Sequence, residues 1–423
     1  MPVVHQTVLQ WVVAASAIYV LLVFLSNLLA MPRLGSCLAQ RHYPRVSVLV
    51  PARNEEENLP RLIPSLLAQN YPDFEVIVLD DNSTDGTADI LAEFARRDSR
   101  VRVLTGLPHR PGWIGKNWAC HQLSEATTGE WILFTDADTM HKPGALRAAM
   151  DAALYHQVDF LTAITGQEVR SWGERLVVPF FSTYHIFCAV PLELGYRLRS
   201  ARIFAANGQF LLFRRQAYDE IGGYAAANEA VLDDQALVSK IARHRLRWRM
   251  CDGSRFICCR MYTNWAGVFR GFTKNVFVAF GGAMVPYCLV WTGIALLFFE
   301  PLVVLALAAL RFPMAPAGVP VALATITATL LFWLGTARRF RIPWYLAFLY
   351  PATIGLALVI AVRSVVMLST GHATWKGRTI AQPLAGSAKV SRVRPVPRPL
   401  AFVLRFASIA FAFLFSGVYR LRH

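Results

Sequence analysis

The amino-acid sequence predicts an α/β fold, with a mostly parallel sheet between two layers of helices, attached to helices that cross a membrane. Short apolar runs of strand length alternate with helical patterns between residues 46 and 134, and such alternation is typical of a parallel sheet. Longer apolar runs precede and follow this region, and the mean hydropathy of +0.38 exceeds that of most soluble enzymes. A chain of 423 residues has room for both parts.

The elements of the sheet region follow from the apolar runs and the residues that interrupt them. Pro51 closes the first strand, and apolar residues at helical spacing follow within Glu55–Gln69. The same alternation then repeats along the chain. The predicted strands are Val46–Val50, Phe74–Leu79, Val101–Leu104 and Trp131–Phe134, and the later predicted helices are Ala88–Arg96 and Trp118–Ala126.

The long apolar runs predict a membrane anchor and C-terminal spans. Residues 8–31 form an apolar run that is too long for the hydrophobic region of most signal peptides, and they lack a small-residue cleavage site, so we expect a retained anchor. Arg33, Arg41 and Arg45 follow it, which places the next segment in the cytosol by the positive-inside tendency. The later candidate spans are Pro286–Leu310, Val319–Leu334 and Trp344–Leu368, with a kink or an interfacial break expected at Glu300 and Pro301.

These patterns divide the chain into four parts and predict a multi-pass protein of the inner membrane. They are an anchor (1–32), a cytosolic domain ending in interfacial elements (33–275), transmembrane or interfacial helices (276–368), and a basic tail with a further apolar helix (369–423). Three full spans would place the basic tail outside, against the charge bias. One span could be interfacial or re-entrant, or the tail could be an exception, and the sequence does not decide between these alternatives.

The net charge of +16 would suit a nucleic-acid-binding protein, but its distribution favours a membrane. Basic residues cluster beside the apolar runs, as at Arg338, Arg339 and Arg341, so we expect no nucleic-acid partner. The seven cysteines form no C-x-x-C pair and the histidines lack metal-ligand spacing. Reduced thiols and no zinc site are the resulting expectations.

Acidic residues follow two of the predicted strands, at the edge where ligands bind in open α/β sheets. Asp80 and Asp81 end the second strand before a turn-rich loop, and Asp136 and Asp138 follow the fourth. Two carboxylates at that spacing can share one divalent cation, which can hold the oxygens of a diphosphate. Asp-x-Asp alone often marks a solvated loop, but the preceding strand and the upstream acids favour the metal.

Asp233 and Asp234 form another acidic pair, at the start of a predicted helix. Acids in this position are often only helix caps. If the helix start faces the same cleft, one of them could take a proton from an attacking hydroxyl. Lys116, in a loop with Gly and Trp, is either a solvated turn residue or a cation near phosphate, with Trp113 packing on a sugar or acceptor.

Three further residues carry weaker signals. Gly208 lacks a side chain, which would let a substrate approach the backbone closely, although a plain turn explains it equally well. Arg260 and Trp265 belong to a basic, aromatic stretch just before the membrane. An amphipathic interfacial helix explains most of that stretch, and a diphosphate contact from Arg260 is the alternative.

Four motifs in a fixed order resemble those of the membrane-anchored members of glycosyltransferase family 2, which have the GT-A fold. They are VSVLVPARNEEENL, VLDDNSTDGT, FTDADT and VLDDQAL, and the resemblance covers Val46–Asn275. The stretches GWIGKNWAC, NGQFLLFRR, DDQAL, RMYTNW and TWKGR are similar to those of a subgroup that includes bacterial carotenoid and hopanoid-associated glycosyltransferases. RMYTNW stands where processive polysaccharide synthases have Gln-x-x-Arg-Trp, which argues against synthesis of a long polymer.

The resemblance, together with the motifs above, gives each candidate residue an expected role. Asp233 stands where the family usually has Glu. The nucleotide sugar would be bound by Pro51, Ala52, Arg53, Glu55, Asp81, Lys116 and Asp136. A Mg or Mn ion would be bound by Asp138 and Asp136, and the catalytic base would be Asp234, with Asp233 beside it. The acceptor or the diphosphate would be contacted by Trp113, Gly208, Gln209, Arg260 and Trp265.

The resemblance implies an inverting, metal-dependent hexosyltransferase that moves a sugar from a nucleotide-diphosphate sugar, expected to be a UDP-sugar, to a polyprenoid-like lipid. The nearest alternative moves a sugar to polyprenyl phosphate or a short glycan. The alternative from a different class is a membrane transporter with a regulatory nucleotide-binding domain. Against the transporter, the candidate spans contain few ionisable residues, Glu300 and Arg363 being the exceptions.

Overall fold

The computed structural model describes residues 2–200, 203–312 and 317–369, together with two short strands at 374–375 and 378–379. The strands are β1 (Val46–Ala52), β2 (Phe74–Asp80), β3 (Val101–Thr105), β4 (Trp131–Thr135), β5 (Thr139–His141), β6 (Phe160–Ile164), β7 (Gly166–Gln167), β8 (Phe210–Arg214), β9 (Trp248–Asp252), β10 (Ile257–Cys259), β11 (Thr374–Trp375) and β12 (Arg378–Thr379). The helices are α1 (Pro2–Ala30), α2 (Leu59–Leu67), α3 (Thr87–Arg97), α4 (Gly115–Glu125), α5 (Ala145–Tyr155), α6 (Trp172–Pro179), α7 (His185–Ala189), α8 (Leu192–Leu198), α9 (Arg215–Glu220), α10 (Asp233–Arg243), α11 (Trp265–Val276), α12 (Met284–Ala309), α13 (Gly318–Phe340) and α14 (Tyr350–Ser369). A π-helical turn, Phe180–Tyr184, joins α6 to α7, and 3-10 helices cover Gly223–Ala227, Val278–Phe280 and Trp344–Ala347.

A seven-stranded sheet with the order β3-β2-β1-β4-β8-β6-β9 organises the chain between α1 and α11. β1 pairs in parallel with β2 and β4, β2 pairs in parallel with β3, and β6 pairs in parallel with β9. β8 runs antiparallel to both of its neighbours, β4 and β6. The sheet is therefore mostly parallel, which confirms the predicted α/β class. A second sheet, β5-β10-β7, has three short strands.

The two faces of the large sheet pack into two separate cores. Successive side chains of a strand point to opposite faces, so Leu49 and Val48 of β1 belong to different cores. The core that contains Leu49 continues into the apolar helices, where it includes Phe24 of α1 and Trp333 of α13. The core that contains Val48 lies between the sheet and helices α2 and α5. One face of the sheet is therefore packed continuously with the apolar helices.

Four helices in the described ranges are long and apolar enough to cross a membrane, judged by length and composition. A bent pair of shorter segments, Trp172–Ala189 and Leu192–Leu198, meets the same test and would raise the number to five if it is one span. The four segments are Thr7–Ala30, Met284–Ala309, Gly318–Phe340 and Tyr350–Met367.

Two details of these helices differ from the sequence prediction. α12 continues through Pro301 as one helix, so the expected interfacial break is absent, although a proline inside a helix still removes one backbone hydrogen bond. The third apolar run does not form a single helix from Trp344, because a 3-10 helix covers Trp344–Ala347 and α14 begins at Tyr350. Pro351 explains this start, since proline favours the first turn of a helix.

A polar side chain of α1 holds the bend between α7 and α8. The Nδ2 group of buried Asn27 donates to the carbonyls of Phe187 at 3.1 Å and Val190 at 2.8 Å, and its Oδ1 accepts from the amide of Leu192 at 3.0 Å. A helix that breaks leaves backbone groups that need partners, above all away from water. Asn27 supplies those partners from a distant part of the chain.

A buried ion pair joins the large sheet to the apolar helices. The Nε of Arg339, in the last turn of α13, lies 3.0 Å from Oδ2 of Asp252 at the end of β9, and both side chains are buried. Arg339 also donates to the carbonyl of Met31, just after α1, at 2.9 Å. The Nε of Arg33 is 3.9 Å from the same Asp252 oxygen. Sheet, α1 and α13 are therefore connected at one point.

Most of the predicted basic tail, including its apolar run Leu400–Val418, lies outside the described residues. Within the described part, β11 and β12 pair antiparallel, with Thr374 opposite Thr379. The TWKGR stretch contains β11 and the first residue of β12.

Candidate active site

The carboxyl ends of β1 and β2 form one side of the candidate site. The two strands are in register with Ala52 opposite Asp80, so the residues after them meet. The amide of Asp81 donates to the carbonyl of Ala52 at 2.7 Å, and Nη1 of Arg53 donates to the carbonyls of Asp81 at 2.5 Å and Asn82 at 3.2 Å. The structure thus brings together four residues predicted to bind the nucleotide sugar: Pro51, Ala52, Arg53 and Asp81.

Asp136 and Asp138 lie in the loop after β4, and β4 pairs with β1 so that this loop opens at the same edge. Oδ1 of Asp138 accepts a hydrogen bond from Sγ of Cys259 at 3.3 Å, and its carbonyl accepts from the amide of Arg260 at 3.1 Å. The guanidinium Nη2 of Arg260 is 3.3 Å from Oε1 of buried Glu174. Arg260 therefore lies beside the acidic pair while its charge faces Glu174.

Negative charge accumulates around Asp138. Burial, and then the charges of Asp136 and Glu55, raise the pKa of Asp138 to about 7. The hydrogen bond from Cys259 and the charge of Lys116 act in the opposite direction without cancelling this rise. A carboxyl in this setting is stabilised in its ionised form when a further cation arrives.

Lys116 links the loop after β4 to the start of α10. Its Nζ lies 2.8 Å from Oδ1 of Asp136 and 3.6 Å from Oδ2 of Asp233. Burial alone would lower the pKa of Lys116, but the charges of these two carboxylates raise it well above its usual value. The ammonium is therefore charged, and 23% of the side chain remains exposed, so that a ligand can still reach it.

The neighbouring residue Asn117 explains why these two elements meet. Its buried side-chain amide donates to three backbone carbonyls of residues 227–230, at 2.8, 3.2 and 2.9 Å. These bonds hold the segment that precedes α10 against the first turn of α4. Because Lys116 occupies that first turn, the same bonds bring Asp233 within its reach.

Asp233 and Asp234 have different partners although they are adjacent. Oδ2 of Asp233 accepts from the hydroxyl of Tyr224 at 2.9 Å and faces the Lys116 ammonium. Asp234 is bound by backbone amides, with Oδ2 accepting from Gly208 at 3.0 Å and Oδ1 from Gln235 at 2.7 Å. Asp233 is thus engaged by a cation and a hydroxyl, whereas Asp234 is oriented by the backbone.

Asp234 has the proton affinity that a general base needs near neutral pH. Burial, and then the charge of Asp233, raise the pKa of Asp234 to about 7, although the amides of Gln235 and Gly208 and the charge of Lys116 act to lower it. A general base is most effective when its pKa lies near the working pH.

The carboxyls of Asp138 and Asp234 lie at the same edge of the sheet, and the space beside them is the candidate catalytic cleft above β4. Gly208, which binds Asp234, precedes β8, and β8 pairs with β4 directly before the Asp136–Asp138 loop. The hydroxyl of Thr135, the last residue of β4, donates to the carbonyl of Gln209 at 2.9 Å. The charge of Lys116 also acts on both carboxyls. These contacts exclude an arrangement on opposite sides of the sheet.

The side chains after β4 fit a hard divalent cation. Asp136 and Asp138 offer carboxylate oxygens, the ligands that Mg²⁺ and Mn²⁺ prefer, and the raised pKa of Asp138 marks a local excess of negative charge. Within the described residues, no group of three or more His, Cys, Asp or Glu side chains is arranged to hold a metal ion. Because Mg²⁺ commonly binds one or two carboxylates together with substrate phosphates, two aspartates fit a cation that shares a diphosphate.

Glu55 lies beside Asp138 at this cleft, whereas the side chain of Gln209 is bonded within the protein. The charge of Glu55 contributes to the raised pKa of Asp138, so the two carboxyls are neighbours. The side chain of Gln209 is buried, and its oxygen accepts from Nε2 of Gln167 at 3.2 Å and from the hydroxyl of Thr165. That side chain is therefore engaged within the protein.

Trp113 and Trp265, the two aromatic residues predicted to contact a ligand, each pack against a helix. Trp113 stacks on His121 of α4 with ring centroids 5.0 Å apart, and it meets Trp118 edge-on at 5.1 Å. Trp265 begins α11 and packs so closely on Gly173 of α6 that a Cβ at Gly173 would lie 2.7 Å from its ring. Gly173 adjoins Glu174, the partner of Arg260, so Trp265 lies behind the Asp138 side of the cleft.

Cys259 and Tyr224 contact the acidic residues directly, although the sequence analysis did not select them. Cys259 donates to Asp138, and Tyr224 donates to Asp233. Tyr224 follows Gly222 and Gly223, whose φ values of 77° and 48° form a tight left-handed turn. A double glycine ahead of an acidic pair was the local signal for Tyr224, and the position directly before Arg260 was the signal for Cys259.

Comparison with known proteins places the sheet region in a family. The model of the family described as Glycosyl transferase family 2 matches residues 47–222. A 4,4'-diaponeurosporenoate glycosyltransferase of Staphylococcus aureus strain MRSA252 is 26% identical over 246 residues, which cover 57% of this chain and 63% of that protein. The Staphylococcus haemolyticus protein of the same name is 27% identical over 235 residues, covering 55% of this chain and 61% of that protein. This chain thus spans less than two thirds of the length of these relatives.

Two solved structures share low identity with the chain. A mannosyltransferase from Pyrobaculum calidifontis, in complex with GDP-Man and Mn²⁺, is 18% identical with a TM-score of 0.48, covering 98% of this chain and 99% of that one. TarS of S. aureus in complex with UDP-GlcNAc is 16% identical with a TM-score of 0.37, covering 77% of this chain and 92% of that one. The family match and the relatives named for a carotenoid acid agree with the resemblance seen in the sequence. Residues 47–222 of the chain therefore match a glycosyltransferase domain of family 2.

Proposed function

We propose that this protein transfers a sugar from a nucleotide-diphosphate sugar to a lipid acceptor at the membrane surface. The observation that carries the proposal is the convergence of the Asp136–Asp138 loop and the start of α10 on Lys116, at the carboxyl edge of the parallel sheet. This edge is where open α/β sheets bind their ligands. A cation-binding carboxylate pair and a separate carboxyl with a pKa near neutrality are the two components that such a transfer needs.

The donor is proposed to lie along the ends of β1, β2 and β4, with a UDP-sugar as the expected nucleotide. Asp81 is buried at this edge and its loop is fixed by Arg53, which supports a role in binding the base. The charged ammonium of Lys116 would contact phosphate oxygens. Asp136 and Asp138 would hold Mg²⁺ or Mn²⁺, which when bound would neutralise charge on the diphosphate leaving group.

The reaction is proposed to be a direct displacement at the anomeric carbon. The acceptor oxygen forms a bond to that carbon while the bond to the diphosphate oxygen breaks, and where the acceptor is a hydroxyl its proton moves to Asp234. A single displacement inverts the anomeric configuration. Asp234 is oriented for this step by the amides of Gly208 and Gln235, and Asp233 would position Lys116 rather than take the proton.

A lipid acceptor is supported by the helices that pack on the sheet. One core runs from the sheet into α1, α12, α13 and α14, and these helices are long and apolar enough to cross a membrane. The relatives named 4,4'-diaponeurosporenoate glycosyltransferases support an apolar acceptor of the carotenoid-acid type. We place the sheet domain on the cytosolic side of a multi-pass protein, because Arg33, Arg41 and Arg45 follow α1.

The test is mass spectrometry of lipid extracts from cells that produce the protein. Cells with the wild type should contain a lipid that is heavier by one hexose, and cells with Asp138→Ala should lack it. Asp89→Ala, which removes an exposed carboxylate of α3, is the matched control and should leave the product unchanged. A product that persists with Asp138→Ala would contradict the assigned site, and no hexose-bearing lipid with the wild type would contradict transfer to lipid.

The same assay separates two acceptor chemistries through Asp234. A hydroxyl acceptor must lose a proton, so Asp234→Asn should abolish its product. A carboxylate or phosphate acceptor is already ionised, and its product should persist in that variant. Persistence would therefore indicate either a carotenoid-type carboxylate or polyprenyl phosphate as the acceptor, and the mass of the product would separate these two.

A further inference from the structure

A cleft between α11 and α14 lies apart from the carboxylates of the proposed sugar transfer, although the sequence predicted one of its lining residues, Trp265, as an acceptor or diphosphate contact. Its volume is about 610 Å³, and its lining is formed by one side of α11 and a single residue of α14. Trp265, Ala266 and Phe269 make most of this lining apolar, and the charged members are Arg270 and Arg363. The cleft is open to the outside of the protein, so a ligand could enter it from the surroundings of the helices.

The two arginines bring positive charge to the cleft from opposing helices. Nε of Arg270 donates to the carbonyl of Ala266 at 3.3 Å. Within the described residues neither Arg270 nor Arg363 forms an ion pair with a carboxylate, and both side chains are exposed. Two like charges that face one apolar cavity repel each other unless an anion lies between them. The cleft therefore has the charge pattern of an anion site.

The surroundings of Arg363 indicate that the anion belongs to a membrane lipid. The neighbouring side chains on the exposed side of α14 are Val359, Val362 and Val366, which are 55%, 66% and 56% exposed. α14 is also one of the helices apolar enough to cross a membrane. Apolar residues exposed in this way favour acyl chains over water, and an arginine among them is stabilised by an anionic group at the membrane surface.

We propose that the cleft between α11 and α14 binds one anionic phospholipid, with its phosphate between Arg270 and Arg363 and an acyl chain along Trp265 and Phe269. Arginine forms paired hydrogen bonds with phosphate, and aromatic side chains pack well at the boundary of headgroups and acyl chains. The proposal does not depend on the sugar transfer, because none of these contacts involves the carboxylates of the cleft above β4.

The bound lipid would fix α11 against α14. Phe277, directly after α11, donates its amide to the hydroxyl of Ser364 on α14 at 2.9 Å, so the two helices are already joined at one end. A phosphate held by both arginines would join them at a second point. Trp265 packs on Gly173, next to the Glu174 that pairs with Arg260. The lipid site is therefore connected to the Asp138 side of the catalytic cleft through direct contacts.

Native mass spectrometry of the full-length protein, purified in detergent and titrated with phosphatidylglycerol or phosphatidylcholine, tests the proposal. The wild type should retain one phosphatidylglycerol with about tenfold preference over phosphatidylcholine. Arg270→Gln and Arg363→Gln should each weaken phosphatidylglycerol binding about fivefold to tenfold, since each removes one charged partner of the phosphate. Arg338→Gln, which removes an exposed arginine at the end of α13, should bind as the wild type does.

Three results would overturn the proposal. They are equal binding by the wild type and both cleft variants, an equal loss in Arg338→Gln, and binding of phosphatidylcholine as tight as that of phosphatidylglycerol. The last result would assign the cleft to a neutral apolar chain, such as that of an acceptor. A second measurement covers the case in which a variant misfolds: brominated phosphatidylglycerol should quench tryptophan fluorescence more in the wild type than in Trp265→Phe. Equal quenching in the two proteins would also end the proposal.

Discussion

The catalytic cleft and the cleft between α11 and α14 carry uncompensated charge of opposite sign. At the sheet edge, Lys116 contacts Asp136 and Asp233, yet the pKa of Asp138 remains raised by burial and by neighbouring carboxylates. Beside the apolar helices, Arg270 and Arg363 meet in a mostly apolar cavity. On the proposed function and the proposed lipid site, the first region would take a cation with a diphosphate and the second an anionic lipid.

Asp138→Ala, at the edge of the sheet, is expected to have the largest effect on sugar transfer. Loss of this carboxylate, which is proposed to bind the cation, should lower the rate of sugar transfer at least as much as loss of a general base, by about 10²- to 10⁴-fold or more. The measurement is transfer from a UDP-sugar to extracted lipid, with Mg²⁺ or Mn²⁺ added to protein reconstituted in membranes. The variant should still insert into the membrane, because the hydrogen bonds of Asp138 are formed with Cys259 and Arg260 near β10 and not with the apolar helices. A variant that remained active and responsive to metal would remove Asp138 from the site.

Asp234→Asn is expected to lower transfer to a hydroxyl acceptor by about 10²- to 10⁴-fold, the usual contribution of a general base. Nucleotide binding should be unchanged, since Asp234 is bound by the Gly208 and Gln235 amides rather than by the β1 and β2 loops. Calorimetry with UDP and a transfer assay measure the two effects separately. Weaker UDP binding in parallel with the loss of transfer would indicate a structural role instead, and Asp89→Asn controls for the change of charge.

The connection between the large sheet and the apolar helices is tested by Asp252→Asn, a change at the ion pair between β9 and α13. Both Asp252 and Arg339 are buried, and removal of one member of a buried pair costs about 3 kcal/mol because the other charge is left without its partner. Unfolding in detergent, followed by circular dichroism, should show this loss. The equivalent change Asp219→Asn at the exposed pair with Arg215 should cost less than about 1 kcal/mol. Equal losses of unfolding free energy in the two variants would mean that burial does not increase the contribution of the Asp252–Arg339 ion pair.

The smallest effect is a pH dependence. The pKa of Asp234 is raised to about 7, and only the ionised carboxylate can accept a proton. Transfer to a hydroxyl acceptor, measured as kcat/KM, should therefore fall about tenfold for each pH unit below about 7 and become constant above it. A profile that is flat between pH 5 and pH 8 would exclude Asp234 as the base.

The strands were predictable because their signals are local. The observed β1, Val46–Ala52, begins at the predicted residue and ends two residues later than Val46–Val50, since its last residues still pair with β2. The first helix was placed too early in the sequence. α2 begins at Leu59 rather than Glu55, because the amide of Glu56 donates to Asp85 and the Glu56 side chain accepts from Gly86. Those bonds to a loop about 30 residues away compete with the first helical turn.

The acidic residues of the site were found for the same local reason, since they follow strands or start a helix. Their mutual arrangement depends on distant contacts that no local pattern shows. Lys116 meets Asp233 only because Asn117 binds the carbonyls of residues 227–230. Helices α6 to α8 were missed because polar residues and Pro191 interrupt their apolar run, and their bend is completed by a side chain of α1.

The Asn27 contacts with α7 and α8 bear on how the protein can be handled. If α1 were only a membrane anchor, its removal by a protease would leave a folded, soluble fragment that contains the candidate site. Here, removal of residues 1–32 would leave the carbonyls of Phe187 and Val190 and the amide of Leu192 without Asn27, their hydrogen-bond partner. The first helix is accordingly part of the packed fold and should be retained in any shortened version intended for biochemistry.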